Sequence, residues 1–411
     1  MNETAYVSPF NDEPEVTSQI TISPRLSLVD CTLRDGEQQA GVAFTKEDKL
    51  RIAKKLDEIG IPEIEAGMPA SSEEDREAIC AMVKAGMKAR IAALARPSKA
   101  DIDLLADCGV WCATLSIPIG DLQRQFKLGW DDDTYVRTLL ETAEYAKKKG
   151  LYVNVSPYDT TRVTPAFLDR VLREIAKAGT ADRVRLVDTV GSASPLAIKY
   201  LVRRMKAILG SIPIELHCHD DFGMATACTL AGAEVGVEYL STTMNGLGER
   251  AGNAPTEEVL VALKFLYGVD LNVKIEKLVE TSRLVEELSC VRLQQHKAVV
   301  GRHAFAHESG MVVAGIFKNP FVAEAYIPEA VGQKREILIG KKSGVMSLAK
   351  KLEERGLTLP KEALRELLGR VKAFAVAHKR TLTDEEFFTL VNEQRPAPFF
   401  PDGSGSQGAI G

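Results

Sequence analysis

The sequence has no run of apolar residues that approaches the roughly 20 needed for a membrane-spanning helix. Its N-terminus, MNETAYVSPFNDEPEVTSQI, also lacks the cationic start and apolar stretch of a secretory signal. These absences disfavour a membrane protein and predict a cytoplasmic one.

Two further absences narrow the class of protein. None of the seven cysteines is part of a CxxC pair, and an odd number of scattered cysteines favours reduced thiols over a disulfide framework. No basic block offsets the net charge of −5, which disfavours nucleic acid as a partner. A small metabolite is the predicted ligand.

The amino-acid composition is that of an ordinary globular protein, with 45% hydrophobic and 27% charged residues. Its 411 residues exceed the roughly 250 that a single core usually supports. The length therefore predicts one large domain with an appendage.

Short β-branched or apolar runs alternate with helical segments eight times within about 240 residues, which is typical of a (β/α)8 barrel. An open doubly wound sheet is the main alternative, but LRDGEQ after the first run is not the GxGxxG phosphate loop. The predicted strands are 26–30, 63–67, 89–94, 110–117, 151–156, 183–188, 213–219 and 237–243.

The chain divides into four predicted segments. Residues 1–25 are polar and proline-containing, as in a flexible extension, and residues 26–270 hold the α/β catalytic barrel. A mostly helical C-terminal part follows over 271–394. The segment 395–411 has the Pro/Gly/Ser composition of a disordered tail.

The seventh predicted strand carries Glu215, His217 and His219 at alternate positions, so their side chains project from the same face. Two imidazoles at this spacing can bind one cation, and a neighbouring carboxylate can transfer a proton. Taken alone, the same pattern also fits polar side chains that close the mouth of the barrel.

The end of the first strand adds Arg34, Asp35 and Gln38 to the same predicted rim, where barrel enzymes place their active sites. A glycine-rich loop after the eighth strand can bring Asn253 to the same place. Oxygen and imidazole ligands without a thiolate favour Mg2+, Mn2+ or Zn2+ with open positions for a bidentate ligand such as a 2-oxo acid.

Five segments together resemble the acyl-transferring branch of the DRE metallolyase superfamily, which holds the 2-isopropylmalate, citramalate, homocitrate and Re-face citrate synthases. The amino-acid sequence around these segments is most similar to that of the homocitrate synthases associated with nitrogen fixation. The segments are DCTLRDGEQQAGVAFT (30–45), ELHCHDDFGMA (215–225), NGLGERAGNAPTEEV (245–259), HESG (307–310) and GKKSG (340–344).

This resemblance implies a Claisen-type condensation, in which acetyl-CoA loses a methyl proton and attacks the ketone of a metal-chelated 2-oxo acid. It implies that Asp35, His217 and His219 bind the metal, with Asn253 as a weaker ligand. Arg34 would stabilise the ketone oxygen with Gln38 nearby, Thr189 would hold the 1-carboxylate, and Glu65 and Ser156 would line the same rim.

The resemblance also implies a homodimer in which His307 enters the partner's active site. Glu215 and His307 would then form the proton-handling pair. A metal-dependent lyase or aldolase and a catalytically inactive barrel are the alternatives of a different class.

Four positions depart from the family pattern at the distal end of the substrate and in the lid: Asn154, Tyr158, Val312 and Ala323. At the position of Asn154, the homocitrate synthases of the lysine pathway carry an arginine that binds the distal carboxylate of 2-oxoglutarate. Oxaloacetate, or a phosphonate or phosphinate analogue of it, therefore stays open as an acceptor.

Overall fold

The computed structural model describes residues 4–394. Eight parallel strands close into a barrel in which each strand pairs with the next and the eighth pairs with the first, so the predicted (β/α)8 fold is confirmed. The strands are β1 (Ser27–Asp30), β2 (Glu63–Glu65), β3 (Arg90–Ala95), β4 (Cys112–Pro118), β5 (Tyr152–Tyr158), β6 (Arg183–Asp188), β7 (Ile214–Cys218) and β8 (Tyr239–Thr242).

A helix follows each strand, and local sequence signals explain where several of them begin. Thr45 and Asp48 form a capping box at the start of the first barrel helix, and prolines stand at the first positions of two others. The barrel helices are Lys46–Ile59, Glu73–Lys84, Lys99–Cys108, Asp132–Lys148, Pro165–Ala178, Pro195–Leu209, Ala225–Ala233 and Thr256–Leu266.

Strand register brings the first, seventh and eighth strands together at one rim. Asp30 at the end of β1 pairs with Thr242 of β8, and Ser241 of β8 pairs with His217 of β7. The loops that follow these carboxyl ends therefore meet at the same mouth of the barrel.

The interior of the barrel is unusually rich in charge. Its fully buried side chains include three carboxylates and two guanidinium groups, each at most 1% exposed. Buried charges are stable only when paired, so these groups must neutralise one another. They are Glu63, Glu65, Arg183, Arg185 and Glu215.

The described chain forms two compact units. One contains the barrel, over residues 7–301 with 329–333, and includes the helices Pro14–Thr17 and Leu278–Ser289. The other contains residues 4–6, 302–328 and 334–394. The predicted tail over 395–411 lies outside the described residues.

The C-terminal unit has two short parallel strands, β9 (Ala306–His307) and β10 (Glu336–Ile337). Its helices are Gly310–Ile316, Val345–Glu353, Lys361–His378 and Asp384–Gln394. The last three of these helices share a hydrophobic core, which includes Leu348, Leu367, Val371, Phe387 and Val391. Within residues 4–394, no helix is both long and apolar enough to cross a membrane.

Candidate metal centre and active site

A tight turn after β1 places two neighbouring charged side chains on the barrel rim. The carbonyl oxygen of Cys31 accepts hydrogen bonds from the backbone N–H groups of Arg34, Asp35 and Gly36 at 2.8–3.1 Å. This turn fixes the side chains of Arg34 and Asp35 above the end of the strand, as the sequence predicted.

Asp35, His217 and His219 converge on one point, and all three are buried. Asp35 Oδ2 lies 3.3 Å from His217 Nε2 and 3.7 Å from His219 Nε2, and the two Nε2 atoms are 3.3 Å apart. One oxygen and two nitrogen donors at these distances can hold a single metal ion.

The surroundings prepare the two imidazoles to act as ligands. Ser241 Oγ lies 2.8 Å from His217 Nδ1 and can accept its N–H, an arrangement that leaves the Nε2 lone pair available to a metal. Burial lowers the pKa of His219 to about 4, which keeps this ring neutral near pH 7. Burial opposes ionisation of Asp35, yet Arg34 and the histidines hold its pKa well below the usual range.

Asn253 completes the cluster through its side chain. Its Nδ2 donates to Asp35 Oδ1 at 2.8 Å and to the carbonyl oxygen of Leu247 at 3.0 Å. The Asn253 Oδ1 atom is buried without a hydrogen-bond partner, and so is His219 Nδ1. Unpartnered buried acceptors are rare in native proteins, and an amide oxygen in this position fits a bound cation or its water.

Arg34 lies next to this cluster and is held by two carboxylates. Its Nη1 donates to Asp35 Oδ2 at 2.6 Å and to Gln38 Oε1 at 3.4 Å, and its Nε donates to Glu65. Burial lowers the pKa of Arg34, but Glu65 and Asp35 more than offset this and raise it above its ordinary value. A fixed guanidinium of this kind can stabilise an oxygen that gains negative charge.

A cavity of about 430 Å³ opens above these groups and is large enough for a small organic acid. Seven of the predicted site residues line it: Arg34, Asp35, Gln38, Ser156, Thr189, His217 and His219. The backbone N–H of Asp159 donates to Thr189 Oγ1 at 2.8 Å, which leaves the Thr189 hydroxyl hydrogen free to donate to a ligand.

Glu65 and Glu215 do not line the cavity; both are fully buried in the interior of the barrel. Glu215 lies within 3.0 Å of Arg183 Nε and 2.6 Å of Arg185 Nε, and Asn154 Nδ2 donates to its second oxygen at 2.8 Å. Neither Nε–H is aligned to donate to Glu215, so these contacts are ionic and are not directed hydrogen bonds. Burial opposes ionisation of Glu65, but Arg185 and Arg34 lower its pKa below the usual range.

His307 lies in the C-terminal unit at the end of β9. Its Nε2 is 3.1 Å from Glu324 Oε1, and Arg335 binds both oxygens of Glu324 at 2.7 and 2.6 Å. Glu324 is 6% exposed. The carboxylate therefore fixes one edge of the imidazole, while the arginine neutralises the buried charge.

Three residues that line the cavity were not among the predicted site residues: Gln123, Lys127 and Arg250. Arg250 lies in the glycine-rich loop, where its Nε donates to Asp221 at 2.8 Å, and Asp220 caps the helix Ala225–Ala233 through the N–H of Ala225. Gln123 and Lys127 belong to a segment without strand or helix periodicity, so no pattern could point to them.

Comparison with known proteins places this site in a family. The family model described as HMGL-like matches residues 25–285, and the one described as homocitrate synthase post-HMGL domain-like matches residues 299–379. An HMG-CoA lyase structure from Brucella melitensis shares the fold with a TM-score of 0.58 at 20% identity, over 65% of this chain and 99% of the other.

Two curated relatives match nearly the whole chain. The homocitrate synthase AksA of Methanothermobacter thermautotrophicus is 40% identical over 95% of this chain and 98% of its own length. The 2-isopropylmalate synthase 2 of Caldanaerobacter subterraneus is 42% identical over 89% of this chain and 95% of its own length. The chain therefore belongs to the HMGL-like family, and within it to the acyltransferase branch of the DRE metallolyases that contains the homocitrate and alkylmalate synthases.

Proposed function

We propose that the protein condenses acetyl-CoA with 2-oxoglutarate to form homocitrate and free CoA. The observation that supports this most directly is Arg34 beside the cluster of Asp35, His217 and His219 on the floor of the cavity. A 2-oxo acid offers a ketone and a carboxylate that can bind together at such a centre. Metal-dependent cleavage in the lyase direction and an inactive barrel are the less favoured alternatives.

The reaction begins when a base removes a proton from the methyl group of acetyl-CoA. The resulting enolate carbon attacks C2 of the 2-oxo acid, so a carbon–carbon bond forms while the electron pair of the ketone moves to its oxygen, which takes up a proton. Water then attacks the thioester carbonyl, the carbon–sulfur bond breaks, and CoA leaves as the thiol.

Residues of this chain can assist each stage. Arg34, held by Glu65 and Asp35, would donate to the ketone oxygen as its charge develops, with Gln38 beside it. The Thr189 hydroxyl would donate to the 1-carboxylate, and Ser156 lines the same cavity.

A divalent cation, with Mg2+, Mn2+ and Zn2+ as the candidates, would polarise the ketone when bound at Asp35, His217 and His219. Asn253 would support it with its unpartnered Oδ1. The donor set contains imidazole and oxygen and no thiolate, which suits these three ions.

We further propose that the active form is a homodimer in which His307 enters the site of the partner subunit. Glu324 and Arg335 hold this imidazole in a defined orientation, as an acid or base requires. Glu215, the other predicted member of the proton-handling pair, is enclosed by Arg183 and Arg185, which favours a supporting electrostatic role over direct contact with substrate.

A thiol-trapping assay tests the proposal. Purified protein with Mg2+ or Mn2+ is given acetyl-CoA and, in turn, 2-oxoglutarate, oxaloacetate, pyruvate, 2-oxoisovalerate and phosphonopyruvate. We expect the fastest CoA release with 2-oxoglutarate, and about a 100- to 1000-fold lower kcat in Arg34→Gln at unchanged metal content. Failure to release CoA with every acceptor would rule the condensation out.

A further inference from the structure

One wall of the cavity is formed by an unusual segment after β4. The helix Asp121–Gln123 runs directly into a π-helical turn, Arg124–Leu128. The N–H of Gly129 donates to the carbonyl oxygen of Arg124 at 2.9 Å, and Gly129 ends the turn with a φ of 64°. Turns with this i to i+5 hydrogen bond are rare in proteins as a whole, and those that occur are often found at functional sites.

This segment presents two side chains, Gln123 and Lys127, to the cavity. Lys127 Nζ lies 5.4 Å from the ring centre of Tyr158, and within residues 4–394 no carboxylate pairs with it. Gln123 Oε1 is buried without a hydrogen-bond partner. Oxygen and nitrogen of an amide are assigned from their surroundings, so the same group can present its NH2 to an anion.

Every other cation that lines the cavity already faces a carboxylate. Arg34 contacts Asp35 and Glu65, and Arg250 binds Asp221. The third, Arg185, is held by Glu65 and Glu215. Lys127 therefore carries the unneutralised positive charge of the described cavity lining.

Asn154, which stands where the homocitrate synthases of the lysine pathway carry an arginine, cannot take this role. Asn154 is fully buried, and its Nδ2 donates to Glu215 at 2.8 Å. It does not line the cavity. A second carboxylate on the acceptor therefore needs another partner.

We propose that Lys127 and Gln123 bind the distal carboxylate of the acceptor, so that this enzyme selects 2-oxo dicarboxylic acids over branched or short monocarboxylic ones. The inference rests on the proposed function and assigns its specificity to the π-helical turn. Ser116, Ser156 and the Tyr158 hydroxyl make the neighbouring lining polar, which suits a charged end group better than an isopropyl group.

The test compares kcat/KM for 2-oxoglutarate, oxaloacetate, pyruvate and 2-oxoisovalerate in wild type, Lys127→Met and Gln123→Leu. We expect Lys127→Met to lower kcat/KM for dicarboxylic acceptors about 10- to 100-fold, chiefly through KM, because a charged hydrogen bond is lost. The kcat/KM values for monocarboxylic acceptors should not fall, and the KM for acetyl-CoA should not rise. Lys127→Arg should keep the preference, and Lys88→Met, at an exposed lysine away from the cavity lining, should match wild type.

Two results separate this inference from the proposed function. If wild type prefers 2-oxoisovalerate or pyruvate, or if Lys127→Met loses activity equally with all acceptors, the assignment of Lys127 is wrong while the condensation stands. If wild type releases no CoA with any acceptor, the proposed function fails and the inference fails with it. A thermal-shift titration with 2-oxoglutarate and Mn2+, without acetyl-CoA, adds a binding readout, in which Lys127→Met should need about 10-fold more ligand.

Discussion

The Nε2 atoms of His217 and His219 lie 3.3 Å apart and both face Asp35 Oδ2. A cation between these two nitrogens would bind both lone pairs and remove their mutual repulsion. We therefore expect Mn2+ or Mg2+ to raise the melting temperature, by an amount equivalent to about 2.7 kcal/mol at a metal concentration 100 times Kd. Differential scanning fluorimetry after treatment with a chelator measures this shift.

The His219→Ala variant should lose the metal-dependent shift and the bound metal itself, which elemental analysis can quantify. His303→Ala is the matched control, because His303 is exposed and belongs to the C-terminal unit. Full metal content in His219→Ala would show that the metal centre has been assigned to the wrong residues.

Glu215 is predicted to matter more for the stability of the barrel than for proton transfer. Removing its charge leaves Arg183 and Arg185 without part of their buried counter-charge. We expect Glu215→Gln to lower the free energy of unfolding by about 3–5 kcal/mol, as for other broken buried ion pairs. Denaturant unfolding followed by circular dichroism measures the loss.

Glu287→Gln is the control for Glu215→Gln, because Glu287 forms an exposed pair with Arg51 at 3.9 Å and should contribute at most about 1 kcal/mol. A Glu215→Gln variant that is inactive yet as stable as wild type would instead support a direct role of this carboxylate in proton handling.

Much of the fold could be predicted because its signals are local. Strand β6 (Arg183–Asp188) has the predicted bounds, and β1 and β7 lie within the predicted runs 26–30 and 213–219. The convergence of Asp35, His217 and His219 was also predictable, since the carboxyl ends of parallel strands meet at one rim and the two histidines share a strand face.

The depth of a side chain within the barrel could not be predicted in this way. Glu215 shares a face with His219, but a strand rises about 3.3 Å per residue, so four residues separate the buried interior from the rim. The carboxylate that reaches the substrate is therefore decided by its height in the closed barrel, which the alternation of side chains along a strand does not reveal. Lys127 was not predicted for a different reason: the sequence of its π-helical turn has no distinctive hydrophobic periodicity.

Glu324 should act as a positioning residue for His307. Its carboxylate lies 3.1 Å from His307 Nε2 and is fixed by Arg335. We expect Glu324→Gln to lower kcat about 10-fold with little change in the KM for acetyl-CoA, because the imidazole loses a charged partner that orients it. Steady-state kinetics with the preferred acceptor measure both constants.

A double-mutant cycle with His307→Gln distinguishes positioning from a general structural effect. If Glu324 acts through His307, the two substitutions together should cost little more than His307→Gln alone. Glu336→Gln, at an exposed position on β10, serves as the control and should leave kcat unchanged. Additive losses in the cycle would contradict the positioning role.

Asp30, at the end of β1, should make the protein less stable as pH rises. Burial raises its pKa to about 6, although Thr32 and Thr256 donate hydrogen bonds to it. The ordinary value is about 3.9, so the folded state binds the proton more tightly than the unfolded state, and stability falls as pH rises from about 4 to about 7. Asp30→Asn removes this titration, so its stability relative to wild type should increase by about 3 kcal/mol over that interval.

Urea unfolding of wild type and Asp30→Asn at several pH values measures this difference, because the titrations of all other groups cancel between the two proteins. The control is Asp107→Asn, at an exposed carboxylate, whose plot of stability against pH should run parallel to that of wild type. Parallel curves for Asp30→Asn as well would mean that Asp30 ionises as readily in the folded barrel as in the unfolded chain.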